Sequence, residues 1–280
     1  MKLCIIGLGL IGGSMAIDLK KRKYARHIIG VDNNPLHSNI ALKLEMIDEI
    51  ANLEEGIKKA DIIILSTPAK ASMELLPKIL DLLDEQIVTD VCSTKELLCS
   101  RIEHHEKRNQ YVAAHPMAGT EHSGPWAAKT ALFDGKAVII AEAEKSLSKA
   151  VNEVKKLYNT LHMHLIYMNA TNHDIHVAYV SHISHISSFA LALTVLDKEH
   201  NEKNIFDLAS GGFDSTVRLA KSSHEMWVPI FEQNANNIIG VLDNYISQIN
   251  KFKSLIQERK TEELSELILQ ANHIKKILRD

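Results

Sequence analysis

The run Gly7-Leu8-Gly9-Leu10-Ile11-Gly12-Gly13-Ser14 follows a short apolar segment, Leu3–Ile6, and opens a helical pattern from Met15 to Lys20. No other feature narrows the available folds as far. In a strand–turn–helix setting the first glycine permits the tight turn, the second lets backbone N–H groups approach a pyrophosphate, and the third allows close helix–strand packing. The helix N-terminus then faces the phosphates with its free N–H groups. Asp32 ends the next apolar run, 20 residues after Gly12, where a carboxylate can bond both ribose hydroxyls of adenosine. An isolated glycine-rich turn would need neither the following helix nor the acid. The combination reads as an NAD site, NAD rather than NADP, held by Gly7, Gly9, Leu10, Ile11, Gly12 and Asp32.

Further apolar runs at Ile28–Val31, Ile62–Leu65, Ile87–Thr89, Tyr111–Ala114 and Val138–Ala141 alternate with helical patterns. Such unbroken runs suit parallel strands covered on both faces, and a further run near His164–Met168 can close the sheet. The expected fold is α/β, a Rossmann-type doubly wound, mostly parallel sheet over residues 1–168. Ser66-Thr67-Pro68, after the Ile62–Leu65 run, would line the cofactor or simply stop a strand and cap a helix.

Nine of the twelve glycines and five of the six prolines precede Lys136. Beyond about Thr171 the periodicity is helical: Ile239, Leu242, Ile246, Ile249 and Ile256 form one stripe, and Leu264, Leu267, Ile268, Ala271, Ile274 and Leu278 another. Residues 169–280 are therefore expected to form an all-helical domain for substrate binding and dimerisation. Its long apolar faces imply a second copy of the chain, a homodimer.

A net charge of −3 without like-charge runs gives no reason to propose nucleic acid or a membrane surface as partner. The expected partner is a small-molecule substrate. Cys4, Cys92 and Cys99 lack metal-ligand spacing and read as free thiols of a reducing compartment, the cytoplasm. The opening apolar stretch meets glycines after six residues, too short for a signal peptide, and no later segment is expected to span a bilayer.

Ligands of open parallel sheets sit beyond the carboxyl ends of the strands. There the sequence places Asp90-Val91-Cys92-Ser93-Thr94-Lys95 and, after Tyr111–Ala114, His115-Pro116-Met117-Ala118-Gly119-Thr120-Glu121. A core strand would end in apolar or turn residues. This one ends in an imidazole whose reference pKa, about 6.5, lets it accept a proton or hydrogen bond from a substrate hydroxyl at neutral pH. His115 is the candidate base. In the second half His182 and His185 lie three apart, on one helix face. No metal is expected there, because neither a third ligand nor an HExxH pattern is present; one of the two can instead hydrogen-bond between helices. Arg218, shortly after Gly211-Gly212, can clamp a carboxylate with its planar fork, or form a surface ion pair.

Together these segments resemble the prephenate/arogenate dehydrogenase family of tyrosine biosynthesis. GLGLIGGS from Gly7, DVCSTK from Asp90, HPMAGTEHSG from His115, VSHISH from Val180 and GGFDSTVR from Gly211, followed by Met226-Trp227, carry the resemblance over essentially the whole chain. It implies an NAD-dependent oxidative decarboxylation of prephenate to 4-hydroxyphenylpyruvate. His115 and Ser93 would be catalytic: His115 accepts the hydrogen bond of the ring 4-hydroxyl, and Ser93 assists there and orients His115. Arg218 would bind a substrate carboxylate, His185, its neighbour His182 and Thr120 the substrate, and Glu121 would be an acidic gate near the pocket. The chain departs from the family where an aspartate often stands three residues before the arginine; here that position is Ser215, with Asp214 one step earlier.

Prephenate has a keto group where arogenate has an ammonium, so an unpaired pocket carboxylate would favour arogenate. Only Glu121 and Asp214 qualify by position, and prephenate is the expected substrate. Two rival readings are a hydroxyacid dehydrogenase of the Rossmann-plus-helical kind, which commonly uses a helix lysine as base, and a non-catalytic NAD sensor. Lys95 lies in the wrong half for the first, and a sensor has no need of His115, Ser93 and Arg218.

Overall fold

The computed structural model describes residues 1–199 and 205–277. Its centre is an eight-stranded sheet ordered β3-β2-β1-β4-β5-β6-β7-β8. The strands are β1 Lys2–Ile6, β2 His27–Val31, β3 Glu49–Ile50, β4 Ile62–Leu65, β5 Ile87–Asp90, β6 Tyr111–Pro116, β7 Ala137–Ala141 and β8 His164–Met168. β1 through β6 pair in parallel, β6 and β7 are antiparallel, and β7 pairs in parallel with β8. The expectation of parallel pairing therefore fails at the sixth apolar run. No long helix separates β6 from β7, so the chain turns back beside β6 instead of crossing over. β3, two residues long, is too short to leave a periodic signal.

The unbroken apolar runs follow from the two-sided burial of the sheet. Leu3 and Ile5 of β1 join one core cluster and Cys4 and Ile6 the other; Ile62 and Ile64 of β4 likewise separate from Ile63 and Leu65. Each such side chain contributes on the order of 1.5–3 kcal/mol by leaving water, so truncating one, Ile64→Ala for example, costs about 2–5 kcal/mol. Cys4, Cys92 and Cys99 are free and buried in the second cluster, and burial pushes each thiol up to about 12.

Helices α1 Leu10–Lys21, α2 Pro35–Lys43, α3 Leu53–Lys59, α4 Ala69–Asp81, α5 Glu96–Arg101 and α6 Ser148–Thr160 connect the strands. After β8 come α7 Ala170–Val177, a wide π-type turn at Ala178–His182, α8 Ile183–Glu199, α9 Gly211–Val217, α10 His224–Gln233, α11 Ala235–Gln257 and α12 Thr261–Ala271. Two compact units result, Met1–Ala235 and Asn236–Asp280. In the second, Ile239, Ile246, Ile249 and Ile256 of α11 and Ile268 and Leu269 of α12 are exposed. Leu278, the last residue of the expected stripe, lies outside the described residues.

The helix from Ala170 to Glu199 is long and apolar enough to cross a membrane by length and composition, which the sequence reading did not anticipate. Its first turns are nevertheless committed to the protein interior. His173 and Asp174 are buried there, and Asp174 is hydrogen-bonded to α5.

Candidate active site

The cofactor end is built from backbone. Gly7 has φ +95°, and a Cβ there would meet the Ser66 carbonyl oxygen at 2.3 Å; a Cβ on Gly12 would meet the Gly7 oxygen at 2.1 Å. Only glycine fits the crossing of β1, α1 and the end of β4. Gly9 caps α1 with no side-chain acceptor, leaving its first N–H groups for an anion, and the space a Cβ on Gly9 would enter is open for 4 Å. Asp32 accepts hydrogen bonds from the Leu8 N–H at 2.8 Å and the Asn34 N–H at 2.9 Å, which aims its carboxylate along the turn. These contacts make a cradle that fits a dinucleotide pyrophosphate and an adenosine ribose. Leu10 and Ile11 open α1, Ser66 and Thr67 are half-buried behind the turn, and Pro68 stands at the start of α4. The Thr67 and Ser72 hydroxyls hydrogen-bond at 2.8 Å, so Thr67 also closes the start of that helix.

The reaction end is built from side chains. Asp90 ends β5, where the sequence suggested a polar lining, but it is fully buried. Its Oδ1 accepts from the Tyr111 hydroxyl at 2.7 Å and the Ala114 N–H at 3.0 Å, and its Oδ2 from the Cys92 N–H at 2.9 Å and the Lys95 ammonium. Burial works against the Lys95 charge, but Asp90 prevails and holds that ammonium above its usual range. The network fixes the connection that bears Ser93 and sets the paired Lys95 ammonium close enough to act on His115.

His115, in β6, is 8% exposed, and its Nδ1 lies 2.8 Å from Nε2 of His173 in α7. His173 in turn places Nδ1 2.6 Å from Asp174 Oδ1. Asp174 also accepts the Lys95 N–H at 2.8 Å and the Glu96 N–H at 3.0 Å, capping α5 from another helix. Burial first, then the neighbouring His173 imidazole and the Lys95 ammonium, which oppose a second charge, hold His115 well below the ordinary imidazole value. It is a neutral base near pH 7. The orienting contact expected from Ser93, which is half-buried, is made here by His173.

The expected substrate histidines part company across the wide turn. His182 is 1% exposed and receives a hydrogen bond from Asn234 Nδ2 at 3.2 Å. It takes the inter-helix role rather than the substrate-facing one, and burial lowers its pKa to about 4. Asn234 Nδ2 also donates to the Asp174 carbonyl at 2.7 Å, tying α10 to α7. His185 is half-buried and stacks on Trp227, with centroids 3.5 Å apart. The buried Trp227 leaves Nε1 without a hydrogen-bond partner.

Arg218 is half-exposed and donates to Glu121 Oε2 at 3.0 Å. The Glu121 backbone N–H and Arg218 hold that carboxyl below its usual range. The structure thus brings Arg218 and Glu121 together as an ion pair. Thr120 Oγ1 accepts the His122 N–H at 3.3 Å and shapes the same turn. Ser215 bonds the Gly212 carbonyl, and Asp214 pairs with Lys221 at 2.9 Å; Arg218 draws its carboxylate from Glu121 instead.

Two family models match in tandem: the nucleotide-binding domain of prephenate dehydrogenase over residues 15–167 and its dimerization domain over residues 169–270. The chain belongs to the prephenate dehydrogenase family. A curated prephenate dehydrogenase of Bacillus subtilis is 33% identical over 268 residues, 93% of this chain and 71% of the relative. The Aquifex aeolicus prephenate dehydrogenase, solved with hydroxyphenyl propionate and NAD⁺, superposes with a TM-score of 0.89 at 31% identity, covering 99% of this chain and 97% of that one. Synechocystis arogenate dehydrogenase gives 0.75 at 27% identity, with 99% of both chains covered.

Reading the sequence missed His173 and Asp174, which are hydrogen-bonded in series to His115. The signal available was Asn169, whose side chain caps α7 by accepting the Asn172 N–H at 2.7 Å, with a His-Asp pair at the fourth and fifth positions after it. It also missed Trp126, whose ring meets His37 edge-on at 5.6 Å, with His37 Nδ1 3.7 Å from Asp32. An exposed tryptophan after Gly124-Pro125, beside a turn already singled out, was its only mark.

Proposed function

We propose that this chain catalyses the oxidative decarboxylation of prephenate to 4-hydroxyphenylpyruvate, with NAD as oxidant. The observation that carries the reading is His115, a buried neutral imidazole in the strand of a dinucleotide-binding sheet where family chemistry needs a hydroxyl acceptor. The glycine turn and Asp32 would hold NAD, which when bound takes the hydride from ring carbon 4. As that carbon becomes electron-poor, His115 Nε2 accepts the hydrogen bond of the 4-hydroxyl and stabilises the growing positive charge. The ring carboxylate leaves as CO₂, its bonding pair aromatises the ring, and the proton shared with His115 returns to the phenol. Ser93 is placed to hydrogen-bond the same hydroxyl. Arg218, whose fork keeps donors beyond the one given to Glu121, takes a substrate carboxylate while Glu121 holds it in place as the gate, and the His185–Trp227 stack offers a flat wall to the ring. His182 and Thr120 support these residues.

Prephenate is favoured over arogenate because both candidate carboxylates are already paired with cations, Glu121 with Arg218 and Asp214 with Lys221. Neither is left for a substrate ammonium. We place the working division between NAD-binding and helical regions after Met168, and assign the exposed isoleucines of α11 and α12 to a homodimer. Three buried free thiols suit the cytoplasm.

Absorbance at 340 nm, with each of NAD⁺ and NADP⁺ against each of prephenate and arogenate, tests the reading. NADH formation with prephenate is expected. Turnover of arogenate alone would reverse the substrate assignment, and no turnover by folded, NAD-binding protein would overturn the function.

A further inference from the structure

Both Asp174 oxygens receive backbone N–H groups, Lys95 on Oδ1 and Glu96 on Oδ2. A backbone amide can only donate, so the carboxylate is an acceptor on both sides. His173 Nδ1, 2.6 Å from Oδ1, therefore carries the hydrogen, and its Nε2 is left with a lone pair. His115 Nδ1, 2.8 Å from that lone pair, must in turn carry a hydrogen. One ring nitrogen of His115 remains bare, Nε2. The order of protons along three buried residues is set by two amides at the start of α5.

We propose that His173 and Asp174 are positioning residues, which lock His115 as the Nδ1–H tautomer and accept its Nδ1 hydrogen bond as Nε2 takes on positive charge. The inference deepens the proposed function and rests on it for its catalytic half. Asp174 acts at one remove, keeping the lone pair of His173 turned toward His115. The titratable and charged groups around His115 are His173 and Asp174 of α7, Lys95 at the start of α5 with its partner Asp90, and His182 of the wide turn. Lys95 and the neighbouring imidazoles oppose a proton on His115. Asp174, reached through His173, steadies one when the transition state demands it. A histidine free to adopt either tautomer would present an N–H to the substrate hydroxyl for part of the time, which donates where acceptance is needed.

Because Asp174 also caps α5, the test is made on His173. His173→Leu removes the acceptor, whereas His173→Gln retains one in its side-chain oxygen. In ¹⁵N-histidine-labelled protein without substrate, the His115 ring resonances are identified by their loss in His115→Asn. The wild type is expected to show a protonated Nδ1 and a bare Nε2, and His173→Leu a mixture of tautomers. kcat should fall about 100-fold in His173→Leu and recover to within about tenfold of wild type in His173→Gln, with KM and NAD affinity little changed in both. An Nε2–H tautomer in the wild type would sink the proposal, as would equal kcat losses in the two variants or a His173→Leu kcat within twofold of wild type. The tautomer measurement needs no turnover. It stands even if prephenate proves not to be the substrate, and it is made on wild-type protein should the leucine variant fail to fold.

Discussion

The two ends of the site are made by different means. At the cofactor end, hydrogen atoms stand where side chains would clash, and the groups on offer are amides of the chain itself plus one carboxylate. At the reaction end, Asp90, Lys95, Tyr111, His115, His173 and Asp174 form a buried polar set joined by direct hydrogen bonds. A backbone cradle tolerates side-chain loss and fails when atoms are added. A buried polar network fails when a member is removed, because its partner is left unsatisfied in a low-dielectric interior.

Substitutions at the two ends should therefore fail in opposite ways. The largest effect expected is from His115→Asn, a fall in kcat of about 1,000-fold with KM little changed, since the interaction strengthens as charge develops. Steady-state kinetics showing kcat and KM altered in equal proportion would remove His115 from the chemistry. Gly12→Ala adds one carbon 2.1 Å from the Gly7 oxygen, and calorimetry should show NAD binding weakened about 100-fold as α1 is pushed off β1. Unchanged affinity would mean that the cradle is not rigid. Arg218→Ala removes a charge-assisted contact and should raise KM for prephenate about 10- to 100-fold, an unchanged KM placing the arginine outside the site. Asp32→Ser should lower the preference for NAD over NADP about tenfold, read as the ratio of their kcat/KM values.

A smaller, distributed effect separates the ends by pH. Burial holds His115, His173 and His182 below the ordinary imidazole value, His182 at about 4. An unfolded chain takes up these protons as pH falls through about 6.5, while the folded protein does not. Stability is therefore fully present above that pH and declines on acidification, by up to about 1.4 kcal/mol per pH unit for each histidine. A lower Tm at pH 5 than at pH 7 is expected, and His182→Asn should flatten the slope. An unaltered slope would show that His182 takes no part.

The same contrast explains what could be read from residues in order. The glycine turn and Asp32 were legible because they depend on local backbone geometry, with strand, turn, helix and acid in register. β7 was found, but its direction was not, since direction depends on the connection rather than on apolar content. His115 was legible from its place at a strand end. Its partner His173 lies 58 positions away, and the local pattern at Asn169 marks a helix start without announcing that pairing. Arg218 and Glu121, 97 positions apart, were each singled out without their pairing. His182 and His185 looked equivalent at helical spacing until the wide turn at Ala178–His182 assigned them different neighbours.

The burial of every cysteine gives the protein a built-in clock. With their thiols pushed up to about 12, Cys4, Cys92 and Cys99 present almost no thiolate at neutral pH and at most 5% of their surface to a reagent. Alkylation can then proceed only through excursions that open the sheet. The rate of iodoacetamide incorporation, resolved by mass spectrometry at each cysteine, would time the opening of β1 separately from that of the segment carrying Ser93.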